Sequence, residues 1–459
     1  MQNFSHHFNQ LDWFVFLLLT GLTVAVVLLA QARAPKDNSA LEHLLMGRRL
    51  TLPLFIATLV STWYGGIFGV ASIAFDSGIY NFVTQGVFWY ASYLIFAFFI
   101  LHRISKYQAV TLPDLIGKMY GPKSEKLSAV FNILNLVPVV YAISIGMIIQ
   151  MFFPVSVSEG ILIGVGFTLL YAMFGGFRAV VYSDLVQFFV MFSSVVVLAI
   201  FSFLFFGIRP LQTLPDHYFS PMGKHGIMET IAWGMIALST LVDPNFYQRA
   251  FAANSEKTAK TGIIFATIIW MIFDLSLTFG AMYAKALLPL AQASDGYFEY
   301  AFKVLPQGMR GFFLAGIVAT VLSTLDSYLF LSGSTIAYDL APKKFRGQLW
   351  LHYLSFLFVA SVAIILATVF EGNIKAVWKT LGSLSAASLL VPVLFGHLSK
   401  VKPSDNVFVA AAGTSAIVVF TWRLSGLKDW SGIDELYIGM FVSLSILYLS
   451  NNLLAFRGK

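Results

Sequence analysis

The groups in this sequence that could do chemistry are oxygens. One stretch runs Ala319-Thr320-Val321-Leu322-Ser323-Thr324-Leu325-Asp326-Ser327, and helical spacing places Ser323, Asp326 and Ser327 on one face with Thr320 a turn earlier. Hydroxyls, carbonyls and a carboxylate suit a hard cation such as Na+ better than a soft metal. Small residues at this spacing also serve helix packing, but a carboxylate in an apolar run is costly without a partner. Asp184, which follows Gly175, Gly176, Arg178 and Ser183, is the candidate partner. Pointing inward it is a cation ligand or proton carrier; at the end of its span it is an interface charge. Asp274 lies deep in another apolar run with no partner that the sequence identifies, and Asp76 and Asp243 read as gate or loop charges.

Two apolar runs carry helix-breaking residues in their interiors. Ser61-Thr62-Trp63-Tyr64-Gly65-Gly66 interrupts one, and Thr240-Leu241-Val242-Asp243-Pro244-Asn245 ends the apolar part of another. Paired glycines loosen a helix, and Pro244 removes a backbone donor and would free the Thr240 carbonyl. Broken helices at corresponding positions of two repeats expose carbonyls and helix ends that bind ions and solute near the middle of a membrane. Trp63 and Tyr64 could wall such a solute site or fill the core, and Gln85, Asn245 and Phe246 are further solute contacts to expect.

The elements that must position these groups are membrane helices. Of 459 residues 58% are hydrophobic and only 11% charged, against about 25% charged in soluble domains. Apolar runs approach the roughly 20 residues that span a bilayer. Thirteen spans are expected: 13–31, 52–78, 82–101, 128–153, 158–175, 180–208, 227–247, 261–289, 308–337, 350–370, 378–397, 406–423 and 434–455. The first reads as a retained helix, since no basic segment precedes it and no small-residue cleavage site is evident. The segment 111–120 reads as a helix lying along the inner surface.

Placing the first connection in the cytoplasm puts 20 of the 29 basic residues inside, a count that includes Arg249. That bias favours an external amino terminus and a cytoplasmic carboxyl terminus in a plasma or inner membrane. It also accounts for the charge of +7 without a nucleic-acid partner. Zero cysteines exclude thiolate metal sites, the eight histidines show no ligand spacing, and no phosphate-binding Gly loop with Lys supports ATP-driven pumping. No obligate protein partner is expected, and nothing in the pattern points to an enzyme. A sensor would carry a signalling domain, and a channel a continuous polar lining.

Gly175-Gly176-Phe177-Arg178-Ala179-Val180 with Ser183, Asp184 and Gln187, Asn245-Phe246-Tyr247-Gln248-Arg249-Ala250 with Ala253 and Lys257, and Ser323-Thr324 resemble the sodium:solute symporter family. Its members carry sugars, proline, pantothenate, sialic acid or choline. The resemblance implies Na+-coupled symport of a small organic solute by alternating access, with proton or mixed-ion coupling as the alternative. It implies a single all-α, LeuT-like polytopic membrane domain whose core is two inverted five-helix repeats, 52–208 and 227–397. Residues 13–31 form an extra first helix and residues 406–455 two final ones. It further implies a Na+ site formed by Thr320, Ser323, Thr324 and carbonyls near Ser61 and Tyr64. A second cation position is implied at Asp184, Ser323, Asp326 and Ser327. There Asp326 replaces the family's usual small hydroxyl residue, so the pair could hold a second Na+ or share a proton. Trp63-Tyr64-Gly65-Gly66 resembles the choline-carrying branch, although Asp243-Pro244-Asn245 stands where that branch has an aromatic. Gln85 resembles a polar contact of sialic acid carriers.

Overall fold

The computed structural model describes residues 3–33, 39–172, 176–346, 348–370, 374–377, 383–399, 402–427 and 433–457. Gly175 and residues 378–382, the start of the expected eleventh span, lie outside them. All thirteen expected spans have helical counterparts. In chain order these are α1 Gln10–Ala32, α2 Leu52–Ser61, α3 Ile67–Ser77, α4 Ile79–Ser105, α5 Pro122–Phe152, α6 Val157–Ala172 and α7 Gly176–Phe206. They continue as α8 Gly226–Ala237, α9 Pro244–Ala252, α10 Glu256–Leu287, α11 Met309–Leu340, α12 Leu349–Val369, α13 Ser383–Leu398, α14 Asp405–Leu424 and α15 Glu435–Arg457. The chain is thus an all-α, polytopic membrane protein. Large apolar side chains such as Phe14, Leu17, Leu170, Leu204 and Phe205 point outward, as lipid-facing surfaces require. Segment 111–120 contains the short helix Leu112–Met119.

Both expected interruptions are present. The second span divides into α2 and α3, with residues 62–66 outside either helix. The seventh leaves α8 through a 3-10 turn at Leu238–Val242 and restarts at α9, which runs to Ala252 rather than ending near 247. That restart is encoded locally: the Asp243 side chain accepts the Asn245 amide, and Pro244 occupies the first turn, where no donor is needed. A further irregularity was not expected: α4 contains a π-helical turn at Phe82–Val87.

Nearly all of α11 is buried, whereas α1 lies at the periphery. Asp12 anchors one to the other, since its Oδ1 accepts the amides of Gly308 at 2.6 Å and Gly311 at 3.3 Å. α11 packs against α7, α1, α12 and α5, so the hydroxyl stripe of α11 sits at the centre of the protein.

Candidate functional site

The α2 break delivers a backbone carbonyl to the α11 stripe. The last turn of a helix leaves carbonyls without intrahelical partners, and the Ser61 carbonyl accepts from Ser323 Oγ at 2.7 Å. Ser323 Oγ lies 3.1 Å from the Thr320 carbonyl, to which Thr324 Oγ1 donates at the same distance. Four oxygens from two helices therefore converge: two carbonyls and two hydroxyls, all from fully buried residues. Gly65 makes this approach possible. A Cβ there would lie 2.6 Å from Thr324 Cβ and 2.8 Å from its Oγ1. Tyr64 takes another direction, its hydroxyl donating to Asp274 Oδ1 at 2.6 Å.

A second cluster lies alongside. Asp184 Oδ2 accepts from Thr58 Oγ1 at 2.5 Å and stands 3.6 Å from the Arg249 guanidinium, both side chains being fully buried. Arg249 also donates to Thr58, Thr62 and Ser327 at 3.2, 2.8 and 2.9 Å and to Asn245 Oδ1 at 3.1 Å, while Phe177 stacks against it at 5.4 Å. Arg249, counted from the sequence with the cytoplasmic charges, is thus a buried residue of α9 and not a loop charge. Asp326 is held separately: its Oδ2 accepts from Tyr171 at 3.0 Å and is 3.4 Å from Ser183 Oγ. Oδ1 of Asp184 and Oδ1 of Asp326 each have no hydrogen-bond partner among the described residues. Ser327, an expected oxygen of the second cation position, accepts from the guanidinium.

On the other side of the α2 break lies a cavity of about 180 Å³, comparable with the roughly 150 Å³ that accommodates benzene. Trp63, Tyr64 and Gln85 border it, with Trp89, Tyr141, Trp233, Tyr328, Asn135, Ser239 and Asp243. The π turn carries Gln85, whose Nε2 is unpartnered among the described residues. Asn245 and Phe246 do not border the cavity. Asn245 faces Arg249. Phe246 packs into an aromatic cluster, 5.8 Å from Trp63, 5.0 Å from Tyr93 and 6.1 Å from Trp270. Asp243, read from sequence as a gate or loop charge, faces the space that Asn245 was expected to face. Asp274 acquires the partners its sequence did not reveal, the phenols of Tyr64 and Tyr90.

Comparison with known proteins follows the same lines. The profile of the sodium:solute symporter family matches residues 43–401. The high-affinity proline transporter PutP of Bacillus subtilis (strain 168) is 24% identical, over 74% of this chain and 76% of PutP. The osmoregulated proline transporter OpuE of the same organism is 24% identical, over 93% of this chain and 92% of OpuE. Among solved structures, a substrate-bound, outward-open Na+-coupled sialic acid symporter superposes with a TM-score of 0.79 at 15% identity, covering 97% of this chain and 98% of that one. The inward-facing form of Mhp1 gives 0.55 at 13% identity, covering 88% and 90%.

Proposed function

Since the chain belongs to the sodium:solute symporter family, we propose that Na+ binds between the α2 break and α11 and that the solute occupies the aromatic cavity on the other side of that break. The protein is a Na+-coupled carrier of a small organic solute across a membrane, and not an enzyme. The observation that carries the placement is the Ser61 carbonyl meeting Ser323 beside Thr320 and Thr324. An ion there would replace the hydrogen bonds these oxygens make to one another, and its ligands would be the carbonyls of Ser61 and Thr320 with the hydroxyls of Ser323 and Thr324. The Tyr64 carbonyl is a fifth candidate.

Ion and solute then share the segment 61–66, Ser61 turned to the ion and Trp63 and Tyr64 to the solute. Ordering that segment for one prepares it for the other, which is a coupling free energy between two sites. Residues 52–208 and 227–397 are proposed as the inverted repeats, each beginning with a broken helix, with 13–31 and 406–455 outside the core. The amino terminus is proposed to lie outside and the carboxyl terminus in the cytoplasm. On the proposed cytoplasmic side, Leu50 pairs with the Ala252–Asn254 backbone and Glu42 bridges Arg49 and Arg178. These contacts support a form closed toward the cytoplasm.

A second cation position is proposed at Asp184 and Asp326. Arg249 pairs with Asp184 and not with Asp326, so a bound Na+, or a proton that neutralises one carboxyl, would supply the charge balance that the second carboxylate lacks. The experiment that tests the main reading is solute uptake into proteoliposomes under an imposed Na+ gradient, with a panel of amino acids, sugars, vitamins and amines. Uptake of a solute that persists unchanged when Na+ is replaced by K+ would reject it.

A further inference from the structure

The electrostatics of the cavity narrow the solute class. Of the residues bordering it, Asp243 alone has an acidic side chain and no Lys, Arg or His is among them. Asp243 forms no ion pair among the described residues, and its Oδ1 accepts the Asn245 amide at 2.7 Å. Arg249, buried in α9, forms no ion pair with Asp243 and directs its hydrogen bonds to Asn245 and into the Asp184 cluster. Behind the wall, Asp274 adds a second carboxylate held by Tyr64 and Tyr90.

Among the remaining lining residues the aromatics Trp63, Trp89, Trp233, Tyr141 and Tyr328 stand beside aliphatic side chains and a few neutral polar groups. Aromatic rings attract cations through their quadrupoles, most strongly where water is excluded. A carboxylate and several aromatic rings around a space of about 180 Å³ suit a compact positive charge. The amino ends of α3, beside Gly66, and of α9, which Asp243 caps, are the local features of opposite sign. The first is open to a solute carboxylate and the second is already engaged by Asp243, and neither carries a full charge with which to offset that carboxylate.

On the reading that this cavity is the solute site, we infer that the carried solute bears a cationic nitrogen, an amine or quaternary ammonium, set in the aromatic box with Asp243 as its counter-charge. A carboxylate on the same solute is tolerated; an anion without the nitrogen is excluded.

The test is thermal stability of the purified full chain in Na+, with probes at about 10 mM, tenfold above the usual upper range of KM values. The probes are choline, small primary and cyclic amines, glycine betaine, proline, neutral polyols, simple carboxylates, and the neutral isostere of choline in which carbon replaces nitrogen. At least one nitrogen cation is expected to raise the melting temperature, and its neutral isostere to require about tenfold more or to fail. Asp243→Asn, which keeps a residue able to cap α9, should weaken the cation to a similar degree while the stabilisation by Na+ alone persists. Ser239→Trp, which fills the cavity, separates the two claims. A hit unaffected by Ser239→Trp would mean that the cavity is not the solute site. A hit abolished by it but neutral or anionic would overturn the inference while leaving the site in place. No shift from any cationic or zwitterionic probe, or full retention of the shift in Asp243→Asn, would also overturn it.

Discussion

Replacing Gly65 by alanine should damage Na+ binding through geometry alone. The added methyl would meet Tyr141 Cδ1 at 2.5 Å, Thr324 Cβ at 2.6 Å and Thr324 Oγ1 at 2.8 Å, where carbon contacts normally settle at about 3.5–4.0 Å. The segment 62–66 must therefore retreat from α11 by about 1 Å, carrying the Ser61 carbonyl away from Ser323 and Thr324. Overpacking of this kind costs about 1–3 kcal/mol. If most of that cost falls on the ion-bound arrangement, apparent Na+ affinity drops by about 5–150-fold. Titrating Na+ against the melting temperature of purified Gly65→Ala protein measures the shift separately from stability without Na+. Gly21→Ala is the control, because nothing lies within 4 Å of a Cβ at Gly21, and it should leave both quantities unchanged or slightly improve stability. An unchanged Na+ midpoint in Gly65→Ala would refute the reasoning that close approach of the break to Thr324 builds the ion site.

Three further outcomes are expected. Ser323→Ala and Thr324→Ala each remove one oxygen from the cluster and should lower Na+ affinity by about 2–10-fold, the range for a single neutral contact, without unfolding the protein; sodium dependence of uptake reads this. Trp63→Ala should reduce solute affinity more than Na+ affinity in the same uptake assay, since Trp63 borders the cavity but contributes no oxygen to the ion cluster. Arg249→Met leaves Asp184 buried without its cation and should destabilise the protein by about 3–5 kcal/mol, measured by denaturant unfolding, whereas the double variant with Asp184→Asn should recover much of that loss.

Much of this architecture is legible in the amino-acid sequence because lipid imposes long apolar runs and because Gly65-Gly66 and Pro244 mark breaks that no continuous helix tolerates cheaply. Ser323 and Thr324 are recognisable because a hydroxyl stripe stands out in an apolar helix. The cavity is another matter. Trp89, Tyr141, Trp233 and Tyr328 come from four separate helices, and an isolated aromatic in a membrane span looks the same whether it lines a space or fills the core. Gln85 depends on a π turn that carries no distinctive residue signal. Arg249 shows the limit of charge counting: near the end of a helix it scores as a cytoplasmic charge, and only the approach of α7 reveals Asp184 as its partner. A carboxylate six residues earlier in that motif, as at Asp243, could have suggested that the α9 segment enters the protein. Asp274 likewise waits on Tyr64 and Tyr90, which are 210 and 184 residues away in sequence.

The most direct measurement of the central claim is a pair of experimental structures of the full chain, one in Na+ and one in K+ at equal ionic strength, compared as a difference map. Density present only with Na+ and coordinated by the carbonyls of Ser61 and Thr320 with Ser323 Oγ and Thr324 Oγ1 is the predicted result. Sodium-dependent density elsewhere, with Ser323 Oγ still bonded to the Ser61 carbonyl and no ion between α2 and α11, would contradict it.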